Sequence, residues 1–447
     1  MTEHPDPPGR SYKRLSPLTP LVRSAILVVA VVASSWNDVL RGDLGPLGWV
    51  LLAMLVAGAA YGTASWLRTK YWIEADELRV DTGVISRQSR RIRVDRLQGI
   101  DIVQPFVARL LGLAELRMDV AGGGSREGSL AFLPLREAHD LRATLLARRD
   151  AVRAGHPAGT EDPRTETEQR TAPPAPEQVV ARLDLGMLVV SLLLSPETGA
   201  FLVSAAFFIV VFATFGGVGG AAGVVSLVVG LGLTQFRKLS AYYDFTVAQT
   251  AAGLQVRRGL FDRSTQTITL ARVQGVVISE PLLWRGFGWA RLDVAVAGYA
   301  SGSADGSKPS ASTVLPVGPR PLVMWLARHL LQASGGPDPD AVALGAPPVR
   351  ARWVAPWVRH FLAAGIGEDL VVSRAGLLSR RTHVVPHARV QSLRLHQGPW
   401  QRRLGLADVL VDSPPGPVHV RARHRDVREA RALLDEAGVR SRAARSR

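Results

Sequence analysis

The feature that most constrains this chain is written three times in it. Residues 93–100 read RVDRLQGI, residues 270–277 read LARVQGVV and residues 387–394 read HARVQSLR. An offset of 176 residues (274 − 98) places Leu78, Gly83, Arg87, Ile92 and Arg96 on Leu254, Gly259, Arg263, Ile268 and Arg272. It also places Pro105, Arg109 and Gly112 on Pro281, Arg285 and Gly288 without a gap. A further 117 (391 − 274) carries Gly259, Arg263, Arg272, Gln274, Arg285, Gly288 and Ala290 onto Gly376, Arg380, Arg389, Gln391, Arg402, Gly405 and Ala407. The shared pattern is G-[VL]-x-x-R-x4-[IV]-x3-R-[LV]-Q-[GS], followed by R-x-x-G-x-A. Self-similarity of this length means three copies of one structural unit.

Between the copies stand apolar blocks. SAILVVAVVASSW (24–36) and LGWVLLAMLVAGAAYGTASWL (47–67) lack any ionisable side chain except the phenol of Tyr61. The second would extend about 31 Å as a helix, enough to cross a bilayer. A second block runs from Leu185 to Phe236 with one charge, Glu197. It reads as two spans, 198–215 and 218–236, joined at a glycine-rich turn. Repeats one and two are therefore each expected to carry a transmembrane hairpin, over 18–67 and 198–238. Residues 179–197 are expected to lie at the membrane interface, because the twelve residues LDLGMLVVSLLL are too few to span.

Orientation follows from short-loop Lys and Arg. Arg10, Lys13, Arg14 and Arg23 precede the first span, and Arg68 and Lys70 follow the second. Arg182 precedes the second block, and Arg237 and Lys238 follow it. Both hairpins are expected to keep both ends in the cytoplasm of a bacterial cell, as a multi-pass plasma-membrane protein with all three repeats inside. Residues 1–17 would be a cytoplasmic tail.

Each repeat reads as short strands closed by a helix. LAELRMDV (113–120) and ARLDVAVA (290–297) alternate with period two, the mark of half-buried strands. Closing helices are expected at 135–149, 319–332 and 424–437. This predicts an α+β membrane protein in which β-barrel or sandwich domains occupy 68–149, 239–332 and 368–438, each with a C-terminal helix. Residues 150–178 and 333–349 read as linkers, 300–312 as a flexible insertion and 439–447 as a basic tail. Repeat three has no apolar pair. In its place RWVAPWVRHFLAAGIG (352–367) suggests an interfacial helix over 350–367, with Trp353 and Trp357 at headgroup level.

Gly83, Gly259 and Gly376 fall between strands, where a hairpin turn needs a positive φ. Gln98, Gln274 and Gln391 sit at one strand position and are expected to tie a buried backbone group. The paired Arg87 and Arg96, Arg263 and Arg272, and Arg380 and Arg389 leave two readings open. They are solvated or salt-bridged strand residues, or a shared anion site facing lipid phosphates.

Composition narrows the function. The chain holds 54 Lys plus Arg against 38 Asp plus Glu, a net +16. Residues 371–447 alone hold sixteen Arg and six acidic residues. That excess predicts an anionic partner surface. The absence of Cys excludes disulfides, thiolate catalysis and Cys-ligated metal. No P-loop, HExxH, GxSxG or dinucleotide fingerprint is present. His383 and His387 would lie roughly 13 Å apart along a strand, too far to share one metal. The basic tail carries few aromatics for stacking nucleic-acid bases. No enzymatic activity, cofactor, metal site or nucleic-acid partner is expected.

A pair of apolar spans followed directly by a strand-rich domain with G-[VL]-x-x-R and R-[LV]-Q-[GS] resembles the bacterial membrane-flanked domain, the second type of bacterial pleckstrin-homology-like (PH-like) domain. The resemblance implies a bent seven-stranded antiparallel sheet closed by a C-terminal helix, without known enzymatic activity. It implies partnership with a smaller single-domain relative and, for some members, a role in envelope protection. Repeat three departs by lacking spans and by carrying Ser392 where the other copies have Gly. The expected function is a membrane-anchored scaffold whose three domains face anionic lipid or protein partners. A component of an export or transport system is the alternative.

Overall fold

The computed structural model describes residues 13–14, 53, 63–64, 67–74, 77–82, 88–120, 129–153, 178–215, 218–250, 253–297, 312–332, 338–414 and 416–446. Most of the first apolar pair, Gly83, Arg87, the side chain of Gln98 and most of the linker and insertion residues lie outside the described residues. The chain divides into two compact units, residues 1–174 with 261–265, and residues 175–260 with 266–447.

In the first unit, β1 (Lys13–Arg14), β2 (Lys70–Glu74), β3 (Glu77–Thr82) and β4 (Gln88–Arg93) form an antiparallel sheet in that order. β5 (Leu97–Gln104), β6 (Leu113–Val120) and β7 (Ser129–Pro134) form a meander, with the short α1 (Phe106–Leu110) between β5 and β6. The alternation in 113–120 sends Ala114, Leu116 and Met118 inward. They meet Leu78, Ile92, Leu97 and Leu133 in one core. The closing α2 (Leu135–Arg153) adds Ala138 and Leu145, seven residues apart and so on one helix face.

The second unit contains β8 (Gln178–Arg182), α3 (Leu185–Leu193), α4 (Pro196–Phe215) and α5 (Val218–Tyr242). Then come β9 (Thr246–Thr250), β10 (Gly253–Arg258), the later part of β11 (Arg263–Ile268) and β12 (Val273–Pro281). The second repeat ends with α6 (Leu282–Gly286), β13 (Trp289–Val296), β14 (Thr313–Pro319) and α7 (Arg320–Gln332). The third supplies β15 (Ala363–Ile366), β16 (Leu370–Ala375), β17 (Ser379–Pro386) and β18 (Ser392–His396). It closes with α8 (Pro399–Arg403), β19 (Leu406–Asp412), β20 (Val420–Asp426) and α9 (Val427–Ser446). β12 pairs with both β13 and β17, so repeats two and three share one sheet, ordered β14-β13-β12-β17-β16-β15.

Each repeat begins earlier than its sequence suggested. β1 pairs with β2 through Lys13↔Tyr71 and Arg14↔Lys70, on either side of the first apolar pair. β8 pairs with β9 through Gln178↔Gln249 and Arg182↔Thr246, on either side of α3, α4 and α5. In repeat three the same place is marked by a single bridge, in which Gly345 and Ala364 exchange N–H···O bonds of 2.9 and 3.1 Å. The apolar segments are thus insertions between the first and second strands of a seven-stranded unit.

Three sequence boundaries change as a result. Residues 179–197 are not one interfacial segment, since they contain most of β8 as well as α3. The interfacial helix expected at 350–367 is instead two 3-10 turns, Val349–Trp353 and Val358–Phe361, followed by β15. Pro356 removes a backbone donor between them and blocks a continuous helix. The basic tail expected at 439–447 is largely helical, because α9 continues to Ser446.

Among the described residues no single helix is long and apolar enough to cross a membrane. Leu185–Leu193 with Pro196–Val211 passes that test only as a pair bent by 41°. The two complete spans expected at 198–215 and 218–236 are therefore not seen as such; both stretches are helical, as α4 and α5, and part of each is described in its backbone alone.

Candidate functional site

The most unusual surface belongs to the inserted helices of the second unit. Asp184 caps α3, its carboxylate accepting the Met187 N–H at 3.0 Å. Pro196 then starts α4, at the position where its missing N–H costs nothing. Above this base the helices show apolar side chains outward. Leu202, Val203, Phe207, Ile209 and Val210 are exposed on α4, as are Val228, Val229, Leu233 and Phe236 on α5. A continuous apolar surface of this kind requires a cover.

The base is polar and tightly tied. Gln235 of α5 donates through Nε2 to the Leu192 carbonyl at 3.2 Å and to Thr198 Oγ1. The Ser195 and Thr198 hydroxyls lie 3.0 Å apart, and Lys238 pairs with Glu197 at 3.2 Å. Trp284 of α6 reaches into this base, where its Nε1 donates to the Ser191 carbonyl of α3 at 3.1 Å. The strand domain is therefore fastened to the foot of the apolar hairpin by a buried indole.

That contact draws attention to the short helix inside the R-x-x-G-x-A motif. Arg285 Nε donates to the Glu280 carbonyl at 3.1 Å, and its terminal nitrogen to the Leu377 carbonyl at 3.1 Å. Gly288 ends the segment at φ 64°, as Gly112 and Gly405 do at 68° and 61° in the other copies. A left-handed residue there stops the helix and turns the chain into the next strand. The helix tips expose apolar groups in every copy: Phe106 and Leu110, Leu282, Leu283 and Phe287, and Trp400.

In repeat three the exposed aromatics are tryptophans. Trp353, Trp357 and Trp400 are 72%, 80% and 71% exposed. Arg352 lies over the Trp353 ring at 5.2 Å and Arg403 over Trp400 at 5.7 Å. Amphipathic rings flanked by guanidinium groups suit a membrane–water boundary.

The paired arginines of repeats two and three are engaged in different ways, and Arg87 lies outside the described residues. Arg380 Nε donates to buried Glu280 at 2.6 Å, while Arg320 Nε takes the other carboxylate oxygen at 3.0 Å. Arg389 donates to the Ala271 carbonyl at 2.6 Å, and Arg272 to the Ala297 carbonyl. Arg263 and Arg96 are exposed. Among the five described arginines, structural bonds thus use three side chains, those of Arg272, Arg380 and Arg389. Burial, then the neighbouring Arg380, lowers the pKa of Arg285 and Arg374. The repeated glutamines also differ. Gln274 is buried and donates to the Arg272 carbonyl at 3.2 Å, whereas Gln391 is exposed. Gly259 and Gly376 hold φ of 112° and 110° between strands.

His383 and His387 of the third repeat bond within the fold. His383 Nδ1 accepts the His419 N–H at 3.1 Å, and burial followed by His419 pushes its pKa down to about 4. His387 bonds the Gly367 carbonyl at 3.1 Å, and burial lowers its pKa also. Among the described residues no group of three or more His, Asp or Glu is placed to hold a metal ion. Sequence reasoning missed Glu280, Trp284 and the helix tips. The signal for the tips was present, because FVARL, LLWRG and PWQRR, each with a large apolar side chain in its first two residues, occupy corresponding places before the motif glycine.

Comparison with known proteins agrees with this architecture. The chain is 24% identical over 268 residues to the UPF0699 transmembrane protein YdbT of Bacillus subtilis (strain 168), covering 56% of this chain. The matched part spans about half of that relative, 53% of its length. The bacterial PH domain family matches three regions, 24–149, 200–334 and 341–438, one for each repeat. Together they cover most of the sequence, and the chain belongs to the bacterial PH domain family.

Proposed function

We propose that this protein is a non-enzymatic, membrane-anchored scaffold that presents three PH-like domains at the cytoplasmic face of a bacterial plasma membrane. The observation that carries the reading is the β8–β9 pair, which brackets the exposed apolar helices. Two strands hydrogen-bonded to each other lie on one side of a bilayer, so helices inserted between them cross an even number of times. The β1–β2 pair sets the same condition for the first apolar block. The relative's description as a transmembrane protein supports the same reading. The partners proposed are anionic lipid, met by the Trp and Arg surface of repeat three, and a smaller single-domain relative. Envelope protection is the process proposed.

The polar groups around Gln235 stand at the foot of the hairpin, where they tie three helices together. That placement favours an anchor over a transport path. Because the chain lacks Cys, single Cys at Ser11, Asp43, Ser129, Gly217 and Ser303 report topology cleanly. An impermeant thiol reagent added to intact cells should label Asp43→Cys and Gly217→Cys only. Labelling of Ser303→Cys or Ser129→Cys in intact cells would overturn the orientation.

A further inference from the structure

Repeats two and three are joined by strand pairing with a defined register. β12 meets β17 as Ile278↔Thr382, Ser279↔Arg381 and Glu280↔Arg380. Within the first unit, β5 meets residues 263–265 as Ile102↔Thr265, Val103↔Ser264 and Gln104↔Arg263. Adding 176 to the β5 members and 117 to their partners turns the second set into the first, pair for pair. One joint is thus used twice, strand five of one copy against strand four of the next. Such agreement fixes both the partner strand and the face each side chain takes, because a one-residue slip would invert every side chain.

The third copy has its own strand five, β18, and it is the outer strand of the sheet β18-β19-β20. Ser392, Arg394, Leu395 and His396 along it are exposed. The first copy has its own strand four, β4, the outer strand of β1-β2-β3-β4 among the described residues. Gln88, Ser89, Arg90 and Arg91 on it are exposed. An outer strand presents a row of backbone donors and acceptors that another strand can complete.

We infer that β18 of one molecule pairs antiparallel with β4 of a second copy of this chain, repeating the internal joint between molecules. The register carried over is Leu393↔Arg91, Arg394↔Arg90, Leu395↔Ser89 and His396↔Gln88. Leu395, where repeat two has the buried Ile278, is covered when the joint closes. The contact is heterologous, so copies add head to tail, into a ring or an open row. Arg394 comes to stand opposite Arg90, a like-charged pair that opposes the contact. Asp412, bonded to Arg394 at 2.6 Å, offsets part of it. The joint rests on strand register and is independent of the membrane reading.

The test uses the full chain in its native membrane and the absence of Cys. Directly opposite strand residues lie within disulfide reach. Ser279→Cys with Arg381→Cys should close within one molecule under mild oxidation and serves as the geometric control. His396→Cys with Gln88→Cys should give dimers, trimers and longer species. The two single variants expressed together should stop at dimers. His396→Cys with Ser89→Cys sets the two thiols on opposite faces and should crosslink about tenfold less. Closure of the control without copy-to-copy products from the 396/88 pair overturns the proposal. So does equal crosslinking by the 396/89 pair, or self-crosslinking of His396→Cys alone.

Discussion

Replacing Glu280 by Gln tests how the second and third repeats are held together. Its carboxylate is buried and bonded to Arg320 Nε at 3.0 Å and to Arg380 Nε at 2.6 Å. It faces Arg380 across the β12–β17 ladder, and its charge also acts on Arg285 and Arg374, whose pKa values are lowered by burial and then by Arg380. Each charge-assisted bond contributes about 1.5–3 kcal/mol when well shielded. Arg320 and Arg380 are 43% and 36% exposed, so solvent screening reduces that contribution. Gln keeps the shape but removes a negative charge that acts on all four cations, and we expect a loss of about 2–3 kcal/mol. Hydrogen exchange on the full chain should show faster exchange in 276–281 and 379–384 by about 30- to 150-fold, at about 1.4 kcal/mol per factor of ten. Arg380→Gln should cost less, because Glu280 retains Arg320. Unchanged exchange in both segments after Glu280→Gln would refute the assignment of this carboxylate as the joint's electrostatic centre.

Two further perturbations follow from the same repeats. His383 has a pKa lowered from 6.5 to about 4 by burial, then His419, Arg381 and Arg423. The folded ring is neutral, so its stabilising contribution is complete above about pH 6.5 and is lost as pH falls toward 4. His383→Asn should flatten thermal stability of the full chain across that window, and an unaltered pH profile would count against this role. Gln274→Ala removes a bond to the Arg272 carbonyl, which still accepts the Ala297 N–H at 3.0 Å. The cost should therefore be about 0.5–1.5 kcal/mol, below the 1–3 of a fully orphaned carbonyl. A midpoint shift above that range in denaturation of the full chain would show that Gln274 holds more than one group.

The strands were legible wherever a side-chain period ran undisturbed. A gapless offset sets β9 on β2 and β10 on β3, and 113–120 alternates as its burial does. The first strand of each copy was not legible. Lys13–Arg14 is too short to show a period, and β8 is separated from β9 by three helices, so no local pattern links the partners. The stretch 352–367 looked helical from its aromatics and charges, but Pro356 divides it into turns. The repeated arginines could be recognised as a set, yet their individual fates depend on residues that do not repeat. Arg380 meets Glu280, whose counterparts are Gln104 and Gln397, so where one joint has a carboxylate opposite its arginine the other has an amide.

The proposed function requires that the apolar helices inserted between paired strands enter a bilayer and leave the domains at its surface. Spin labels on single Cys placed at Val203, Phe207, Val229 and Leu233, compared with Val179 and Arg257, test it in reconstituted membranes. The first four should be relaxed strongly by dissolved oxygen and weakly by a water-soluble nickel chelate, with the reverse at the last two. Labels at Trp357 and Trp400 should show intermediate values in bilayers containing anionic lipid. If the nickel chelate reaches Phe207 and Val229 as freely as Val179, the hairpin is not in the membrane and the claim fails.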